Sequence, residues 1–241
     1  MVHVLANRVN NGHNGRIPVP DDQLTVASDG VTVVIPSLPE RSTWLARAVR
    51  SVDRQSAPPA DVIVYVDHDR AGAHVARNAA LAEVITEWVA FLDDDDRFHP
   101  NHLAILIDGA NRSGADLIGT YPAPDPPGMS DALICCYKGI PVRGPVHIPW
   151  GPEQLDHLDA RKGARCPHCR APRGSYIMAT NLVRTELVDK IGGFPAPMSM
   201  GDGFAGCGAE DYLFLLALLD VGARFYHVTG QRTWTYRVKT S

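Results

Sequence analysis

The chain has 241 residues, of which 45% are hydrophobic and 21% charged, and its formal net charge is -4. This composition is typical of a globular protein with one large domain, or one domain with an insertion, and the net acidity argues against a nucleic-acid-binding protein. No apolar run is long enough to span a membrane and no signal peptide is recognisable, so we expect a cytoplasmic protein. Five scattered cysteines do not fit a secreted disulfide framework.

The first part of the chain alternates predicted strands and helices, after a peripheral strand and irregular arm in residues 1–30. Continuous apolar runs predict buried parallel strands at residues 31–35, 62–66 and 88–92. Helical spacing predicts one helix capped by Ser42 and a second helix over residues 73–86. The apolar face of that second helix is predicted to contain Val75, Ala79, Ala82 and Ile85. This order predicts an α/β fold of nucleotide-binding type, with a mostly parallel mixed central sheet flanked by helices.

The second part of the chain is less regular. A predicted helix over residues 103–110 and a strand over 116–120 are followed by a segment rich in Pro, Gly and basic residues. We interpret that segment, residues 121–174, as a loop-rich insertion over the site. Regular patterns return after it and predict a strand at residues 176–179, helices at 182–191 and 211–221, and strands at 224–228 and 233–238.

The strand predicted at residues 88–92 runs directly into four aspartates at residues 93–96. Like charges this close repel one another, and a divalent cation with oxygen ligands would remove that cost. Ligands also collect at the carboxyl ends of strands in open α/β sheets. We therefore predict a metal site here. The alternatives are a solvated acidic turn and, for Asp94 and Asp96, capping of the following turn.

Four segments that follow one another along the chain resemble those of a known family. They are residues 31–37 (VTVVIPS), 76–81 (ARNAAL), 91–96 (FLDDDD) with Pro100, and 192–195 (GGFP) with 210–212 (EDY). In this order they resemble the family 2 inverting glycosyltransferases of GT-A fold, from residue 31 to residue 240. The resemblance implies a nucleotide-sugar-binding half over residues 31–120 and an acceptor-side half over residues 175–241, on either side of the insertion.

This resemblance implies a metal-dependent transferase of the hexosyltransferase type, which moves a sugar with inversion from a nucleotide-diphosphate donor. The acceptor, whether a protein, glycan, lipid or small molecule, is not identified by the sequence. Residues 93–95 are similar to the family's DXD element, with Asp95 implied as a direct ligand of Mn²⁺ or Mg²⁺ and Asp93 as a contact to ribose or metal. His227 lies where many such enzymes place a third metal ligand, and the alternative is a structural histidine.

The resemblance also implies contacts with the nucleotide sugar by Pro36, Ser37, Arg41, Asp67, Arg77, Asn78, Asp93 and Asp94. Arg77 lies where the family often has a diphosphate-facing arginine, and the alternative is a surface salt bridge. Asp67 follows the second strand, where a carboxylate commonly meets the base or ribose, and the alternative is a helix cap. The family commonly continues with Asp-Gly-Ser at this point. This chain has Asp-His-Asp-Arg at residues 67–70, so the donor base stays open.

Asp211 is implied as the general base of the transfer. Direct displacement at the anomeric carbon requires a group that accepts the proton of the acceptor hydroxyl, and a carboxylate is sufficient. Glu210 is the alternative base, or a carboxylate that binds the acceptor. The competing interpretation of Asp211 is an N-cap of the helix that it begins, where the helix dipole would lower its basicity.

The insertion contains a Cys-Pro-His-Cys sequence in which Cys166 and Cys169 have the spacing of half a tetrahedral zinc site. The remaining ligands would be two of His147, His157, His168, Cys135 and Cys136. Two reduced cysteines in a loop are the alternative. A redox dithiol does not fit, because residues 170–174 make a poor helix.

Two other functions fit parts of the sequence. A nucleotidyltransferase also uses an α/β nucleotide domain with a carboxylate-held metal. However, its Gly-rich phosphate loop is absent here, and Glu210 and Asp211 would have no task in it. A non-enzymatic, zinc-containing nucleic-acid-binding module could be centred on residues 161–173, which are locally basic. The net acidity of the chain and the lack of interleaved aromatic residues argue against that module.

Overall fold

The computed structural model describes residues 2–6, 28–125, 180–197 and 209–237 of the chain. These residues form one mixed sheet whose strands are β1 (Val2–Ala6), β2 (Val31–Ser37), β3 (Asp61–Val66), β4 (Trp88–Phe91), β5 (Arg97–Phe98), β6 (Leu117–Asp125), β7 (Leu182–Arg184) and β8 (Phe225–Arg237). The helices in the same residues are α1 (Ser42–Asp53), α2 (Ala73–Leu81), α3 (His102–Ser113), α4 (Thr185–Ile191) and α5 (Ala209–Asp220).

Within the described residues the strands lie in the order β1-β3-β2-β4-β7-β6-β8-β5. The first four of these pair in parallel, as the predicted β-α-β-α-β order requires. β7 pairs antiparallel with both β4 and β6, whereas β6 and β8 are again parallel. The predicted α/β class, a mostly parallel mixed sheet with flanking helices, is confirmed.

The alternation of side chains along β2 divides the hydrophobic core between the two faces of the sheet. Val31, Val33 and Ile35 belong to a cluster that also contains residues of α1 and α3. Val34 belongs to a second cluster, which contains residues of α2, α4 and α5. Because both faces are covered, the central strands are mostly apolar. The carboxyl ends of β2, β3 and β4 lie at the same edge of the sheet, and residues 93–96 follow β4 there.

Several strand and helix boundaries differ from the sequence-based predictions. β2 does not end before Pro36, since Pro36 and Ser37 remain in register with β3. Ser42 is the first residue of α1 rather than its cap, and no side-chain hydrogen bond caps that helix. β6 continues to Asp125 and therefore into the predicted insertion. The two strands predicted near the end of the chain are one irregular strand, β8, because its pairing with β6 continues through register shifts.

Two helix predictions were wrong in part. The helix predicted over residues 73–86 is the shorter α2, and Val75 and Ile85 from its predicted apolar face are 37% and 89% exposed. The residues that α2 buries are Ala76, Arg77 and Ala80. Residues 182–191, predicted as one helix, form β7 followed by α4. The short strand exists because Leu182 and Val183 pair with both β4 and β6, a tertiary contact that no local periodicity reports.

The strand predicted at residues 176–179 and the insertion beyond residue 125 lie outside the described residues. Among the residues that the structure describes, no helix is long and apolar enough to cross a membrane.

The side-chain amide of Gln55 joins the end of α1 to the start of α3. Its Nε2 donates to the carbonyl oxygens of Ser51 and His99 at 3.0 and 2.7 Å. Its Oε1 accepts the backbone N–H of Leu103 at 2.9 Å. Gln55 is buried, so these bonds satisfy polar groups that would otherwise be costly inside the protein.

His102 is fully buried at the start of α3, and it joins that helix to β8. Its Nε2 lies 3.1 Å from the carbonyl oxygen of Thr180, and its Nδ1 lies 2.6 Å from the hydroxyl of Thr233. Because a carbonyl oxygen only accepts, Nε2 carries the proton and Nδ1 accepts from Thr233, whose oxygen accepts from Thr120 at 2.6 Å. Burial lowers the pKa of His102 to about 3, so the ring is neutral.

Candidate active site

The four aspartates that follow β4 differ in their exposure. The side chains of Asp93 and Asp95 are 32% and 13% exposed. Those of Asp94 and Asp96 are buried. A ligand at this edge of the sheet can therefore reach the first and third residues of the run, which is the spacing that the sequence analysis assigned to the metal site.

Asp94 binds residues of the loop that follows β2. The Ser37 hydroxyl donates to Oδ2 of Asp94 at 2.7 Å, and Arg41 Nη1 donates to Oδ1 at 2.8 Å. The same Arg41 nitrogen lies 3.8 Å from Oδ2 of Asp95. Ser37, Arg41 and Asp94 were predicted to contact the nucleotide sugar, and the structure places them in contact with one another. Asp94 accordingly braces this loop.

Asp96 faces β8. Its Oδ1 accepts the backbone N–H of Arg237 at 2.9 Å, so this aspartate also ties two segments together rather than capping a turn. Its Oδ2 is buried and has no hydrogen-bond partner among the described residues. Burial, together with the charges of Asp93, Asp95 and Asp94, raises the pKa of Asp96 well above its ordinary value. Asp96 therefore holds a proton more readily than an ordinary aspartate does.

Arg77 lies at the centre of the carboxylate cluster, and its side chain is only 4% exposed. Nη2 donates to Oδ1 of Asp93 at 2.8 Å, and Nη1 lies 3.1 Å from Oδ1 of Asp211 and 3.6 Å from Oε1 of Glu210. Burial by itself lowers the pKa of Arg77, but the charges of Asp211 and Asp93 outweigh it and raise the pKa above its ordinary value. The surface salt bridge considered as an alternative for Arg77 is therefore wrong.

Arg77 also packs on an aromatic ring, with its guanidinium carbon 5.0 Å from the centroid of Phe194. A guanidinium over an aromatic face gains a cation–π attraction, which is stronger where water is excluded. This contact helps to compensate the desolvation of the charge, since Nε and Nη1 are buried without a hydrogen-bond partner among the described residues.

Asp211 lies in the first turn of α5, directly after Glu210. Its side chain is 20% exposed, and its Oδ1 is buried on the side of Arg77 without a hydrogen-bond donor among the described residues. Burial raises the pKa of Asp211 to about 7, because the charges of Asp93 and Glu210 add to desolvation while Arg77 lowers the pKa. α5 begins at Ala209, before Asp211, which does not favour the N-cap interpretation.

Comparison of the whole fold finds similar solved structures. S. aureus TarS 1-349 in complex with UDP-GlcNAc matches with a TM-score of 0.58 and 14% identity, over 88% of this chain and 59% of that one. The mannosyltransferase PcManGT from Pyrobaculum calidifontis, in complex with GDP-Man and Mn²⁺, matches with a TM-score of 0.53 and 15% identity, over 88% and 59%. These matches concern the fold, and the present chain spans about three fifths of each of these proteins.

Comparison of the sequence matches one family model over part of the chain. The model described as glycosyl transferase family 2 matches residues 61–128, a segment that contains Arg77 and the four aspartates. The resemblance to family 2 glycosyltransferases of GT-A fold is confirmed. A search of the curated proteins finds no match. The matched segment does not reach Glu210 or Asp211, so the acceptor side of the site depends on the geometry described above.

Two more residues assigned to the donor lie at the carboxyl ends of β2 and β3. Pro36 is buried within β2. Asp67 is buried as well, and its Oδ2 accepts the backbone N–H of Gly72 at 2.9 Å, immediately before α2. Because Gly72 is the N-cap residue of α2, this bond resembles the helix cap considered as the alternative for Asp67. It fixes the loop between β3 and α2.

The side-chain amide of Asn78 binds the backbone of Phe194. Its Nδ2 donates to the carbonyl oxygen of Phe194 at 2.8 Å, and its Oδ1 accepts the backbone N–H of the same residue at 2.7 Å. Both ends of the amide are thus engaged by the segment that precedes the acceptor side. This geometry favours a structural task for Asn78 over the nucleotide-sugar contact expected from the sequence.

The remaining metal candidates are only partly described. The backbone of His227 pairs with Gly119 in the β8–β6 ladder, and its side chain is outside the described structure. The zinc candidates Cys166, Cys169, His157 and His168 all lie outside the described residues. Within the residues that are described, no group of three or more His, Cys, Asp or Glu side chains is arranged to hold a metal ion. Asp93 and Asp95 are partly exposed carboxylates at this edge.

Sequence reasoning missed two features of the site: the burial of Arg77 and the bond between Asn78 and Phe194. A signal for the first was present, because Ala76, Ala79 and Ala80 surround Arg77 with small side chains that let α2 approach the sheet. No local signal indicates the second, since 116 residues separate its partners.

Proposed function

We propose that this chain is a metal-dependent, inverting glycosyltransferase of the hexosyltransferase type, which moves a sugar from a nucleotide-diphosphate donor to an acceptor hydroxyl. The observation that carries the proposal is the convergence of Asp93, Glu210 and Asp211 on the buried guanidinium of Arg77. Asp93 follows β4 on the donor side, and Asp211 belongs to α5 on the acceptor side. The Arg77 guanidinium would thus hold the proposed donor site and the proposed base close enough together to act on one substrate.

The donor side offers carboxylates that suit a divalent cation. Asp95 and Asp93 would hold Mn²⁺ or Mg²⁺, because hard cations prefer oxygen ligands. Next to them, Asp96 has a raised pKa and a buried oxygen without a hydrogen-bond partner in the described part of the chain. This indicates that the positive charges of Arg41 and Arg77 do not balance the negative charge of all the carboxylates here. The bound cation would stabilise the negative charge of the leaving diphosphate. PcManGT, a protein of similar fold, contains Mn²⁺ together with GDP-Man.

Asp211 is the proposed base. The acceptor oxygen forms a bond to the anomeric carbon, the bond from that carbon to the diphosphate oxygen breaks, and the proton of the acceptor passes to the Asp211 carboxylate. Attack on the face opposite the diphosphate inverts the anomeric configuration. A base with a pKa near the working pH is both available and effective, so the raised pKa of Asp211, about 7, suits this task. Glu210 is the alternative base, or a group that binds the acceptor.

The nucleoside of the donor is proposed to lie over the carboxyl ends of β2 and β3, near Pro36 and Asp67. The solved structures of similar fold contain different bases, UDP-GlcNAc in TarS and GDP-Man in PcManGT. Since the fold accommodates both, uridine and guanosine donors are the first to test. The acceptor is left open.

The test is incubation with UDP- and GDP-linked sugars, with Mn²⁺, Mg²⁺ or EDTA, while released nucleoside diphosphate is measured. Release that requires a divalent cation, and that is lost in Asp211→Asn, supports the proposal. The matched control is Asp108→Asn, which changes an exposed aspartate of α3 outside the site. Release of pyrophosphate would instead indicate nucleotidyl transfer, and a product with retained anomeric configuration would contradict the proposed mechanism.

A structural zinc ion in the predicted insertion remains a separate proposal, supported by the spacing of Cys166 and Cys169 in the sequence. Elemental analysis of protein purified without added zinc should find one ion per chain, and a Cys166→Ser, Cys169→Ser double variant should lose it. Metal-free protein with both thiols freely titratable would contradict this assignment.

A further inference from the structure

The side-chain amide of Asn78 forms two hydrogen bonds with the backbone of one distant residue. It donates to the carbonyl of Phe194 and accepts the N–H of Phe194, at 2.8 and 2.7 Å. Two antiparallel bonds to one residue fix both the position and the orientation of that peptide segment. We call Asn78 and the segment 192–194 the amide clamp.

The glycine before Phe194 is required for the clamp to close. Gly193 has φ +82°, a left-handed conformation that other residues adopt only with strain. A Cβ atom at Gly193 would also lie 2.4 Å from Oδ1 of Asn78, closer than any van der Waals contact allows. The N–H of Gly193 is bonded to the carbonyl oxygen of Val188 at 2.9 Å, which anchors the other side of the turn to α4.

The clamp places the ring of Phe194 between the two halves of the proposed site. On one side, the guanidinium carbon of Arg77 lies 5.0 Å from the ring centroid. On the other, Phe214 of α5 stacks on it with centroids 3.9 Å apart and planes 2° from parallel. Phe91 of β4 meets both rings edge-on, at 5.1 and 5.9 Å.

Phe214 follows Asp211 by three residues, so both side chains lie on the same side of α5. The position of the Phe194 ring therefore sets how closely the first turn of α5 approaches Arg77. Asp211 and Arg77 are separated by 3.1 Å, a distance that depends on the orientation of this turn. A chain of contacts thus runs from Asn78 through Phe194 and Phe214 to the proposed base.

We propose that Asn78 is a positioning residue of the transfer reaction, which holds Asp211 in register with Arg77 and Asp93 through the amide clamp and the Phe194–Phe214 stack. The inference rests on the proposed function, since it concerns the geometry of the proposed base. It replaces the nucleotide-sugar contact expected for Asn78 from the sequence. The clamp acts on the chemical step, because its contacts run through Phe194 and Phe214 to the helix that carries Asp211.

The test compares Asn78→Ala with Gln55→Ala in the full chain. Both variants remove a side-chain amide that joins distant segments, but the hydrogen bonds of Gln55 go to Ser51, His99 and Leu103, which are not among the proposed site residues. Each variant is assayed well below its own midpoint of thermal unfolding. Asn78→Ala should lower kcat roughly 10²-fold, the scale of a small misplacement of a reacting group, while the Kd for nucleoside diphosphate stays unchanged. Gln55→Ala should lower the Tm without this loss of kcat.

Gly193→Ala provides a second way of opening the clamp with Asn78 left in place, and it should show the same loss of kcat at unchanged Kd. Three results would overturn the inference: wild-type kcat in Asn78→Ala, an equal loss of kcat in Gln55→Ala, or a weakened Kd with unchanged kcat. Absence of transfer by the wild-type chain with every donor would contradict the proposed function itself, and it is seen before any variant is made.

Discussion

Replacing Arg77 by methionine removes the positive charge at the centre of the site while keeping a long side chain that can pack on Phe194. The lost partners are Asp93, at 2.8 Å, and Asp211, at 3.1 Å. Removing one member of a buried ion pair costs about 3–5 kcal/mol, because the remaining charge stays buried and unpaired. Asp93 is 32% exposed and recovers part of its hydration, so we expect a loss in the lower part of that range, about 3 kcal/mol.

The pH dependence of this loss identifies its cause. The pKa of Asp211 is already raised by burial and lowered in part by Arg77. Without the arginine, its pKa in the folded state rises further above the unfolded value. The contribution of such a group to stability is fully present at pH below its unfolded pKa. It is lost as the pH rises through its folded pKa, because the charged carboxylate is disfavoured in the folded state. The free energy of unfolding of Arg77→Met, measured in urea, should therefore fall further below wild type at pH 8 than at pH 5.

The matched control for Arg77→Met is Arg112→Met. Arg112 is 63% exposed and pairs with Asp108 one turn away on α3, and an exposed pair of this kind contributes roughly 0.3–0.5 kcal/mol. A loss in Arg77→Met no larger than in Arg112→Met, or a loss that does not change between pH 5 and pH 8, would refute the argument that a buried cation holds these carboxylates together.

Three further predictions concern the chemistry and the stability of the chain. Asp211→Asn should lower kcat by roughly 10²-fold or more with donor binding intact, and wild-type kcat should rise as the pH increases through about 7, since the base must be deprotonated. Asp95→Ala should abolish cation-dependent donor binding in calorimetry, and undiminished binding would contradict its role as a metal ligand. Burial lowers the pKa of His102 to about 3, so its contribution to stability is complete above pH 6.5 and is lost as the pH falls from there towards 3. His102→Asn should be less stable at pH 7.5 and should lose less stability than wild type between pH 6.5 and 4.5; equal pH slopes in urea unfolding would contradict this.

The central strands could be predicted because local sequence determines them. β2, β3 and β4 are continuous apolar runs, buried on both faces, and each follows a turn or helix signal. β7 could not be predicted in the same way. Its three residues, Leu182–Arg184, form a strand because they lie between β4 and β6 and pair antiparallel with both. Their spacing also fits the start of a helix, and only the neighbouring strands decide between the two.

The position of Arg77 illustrates what local patterns omit about the site. A charged residue on a predicted helix is expected on the exposed face, because burial of an unpaired charge is costly. Helical spacing over residues 73–86 predicts a buried face with Val75 and Ile85 instead, and the structure exposes both. The guanidinium of Arg77 can be buried because carboxylates that follow β4 and begin α5 surround it. The charge of these carboxylates is the clue in the sequence. An acidic run follows one strand, and an acidic pair begins a later helix. The two cannot meet at the same edge of the sheet without a positive charge between them. A metal ion can serve the exposed oxygens of Asp93 and Asp95, but the oxygens that face the core need a cation from the chain itself. Arg41 reaches Asp94 and Asp95 of the acidic run, whereas Arg77 reaches carboxylates of both acidic segments.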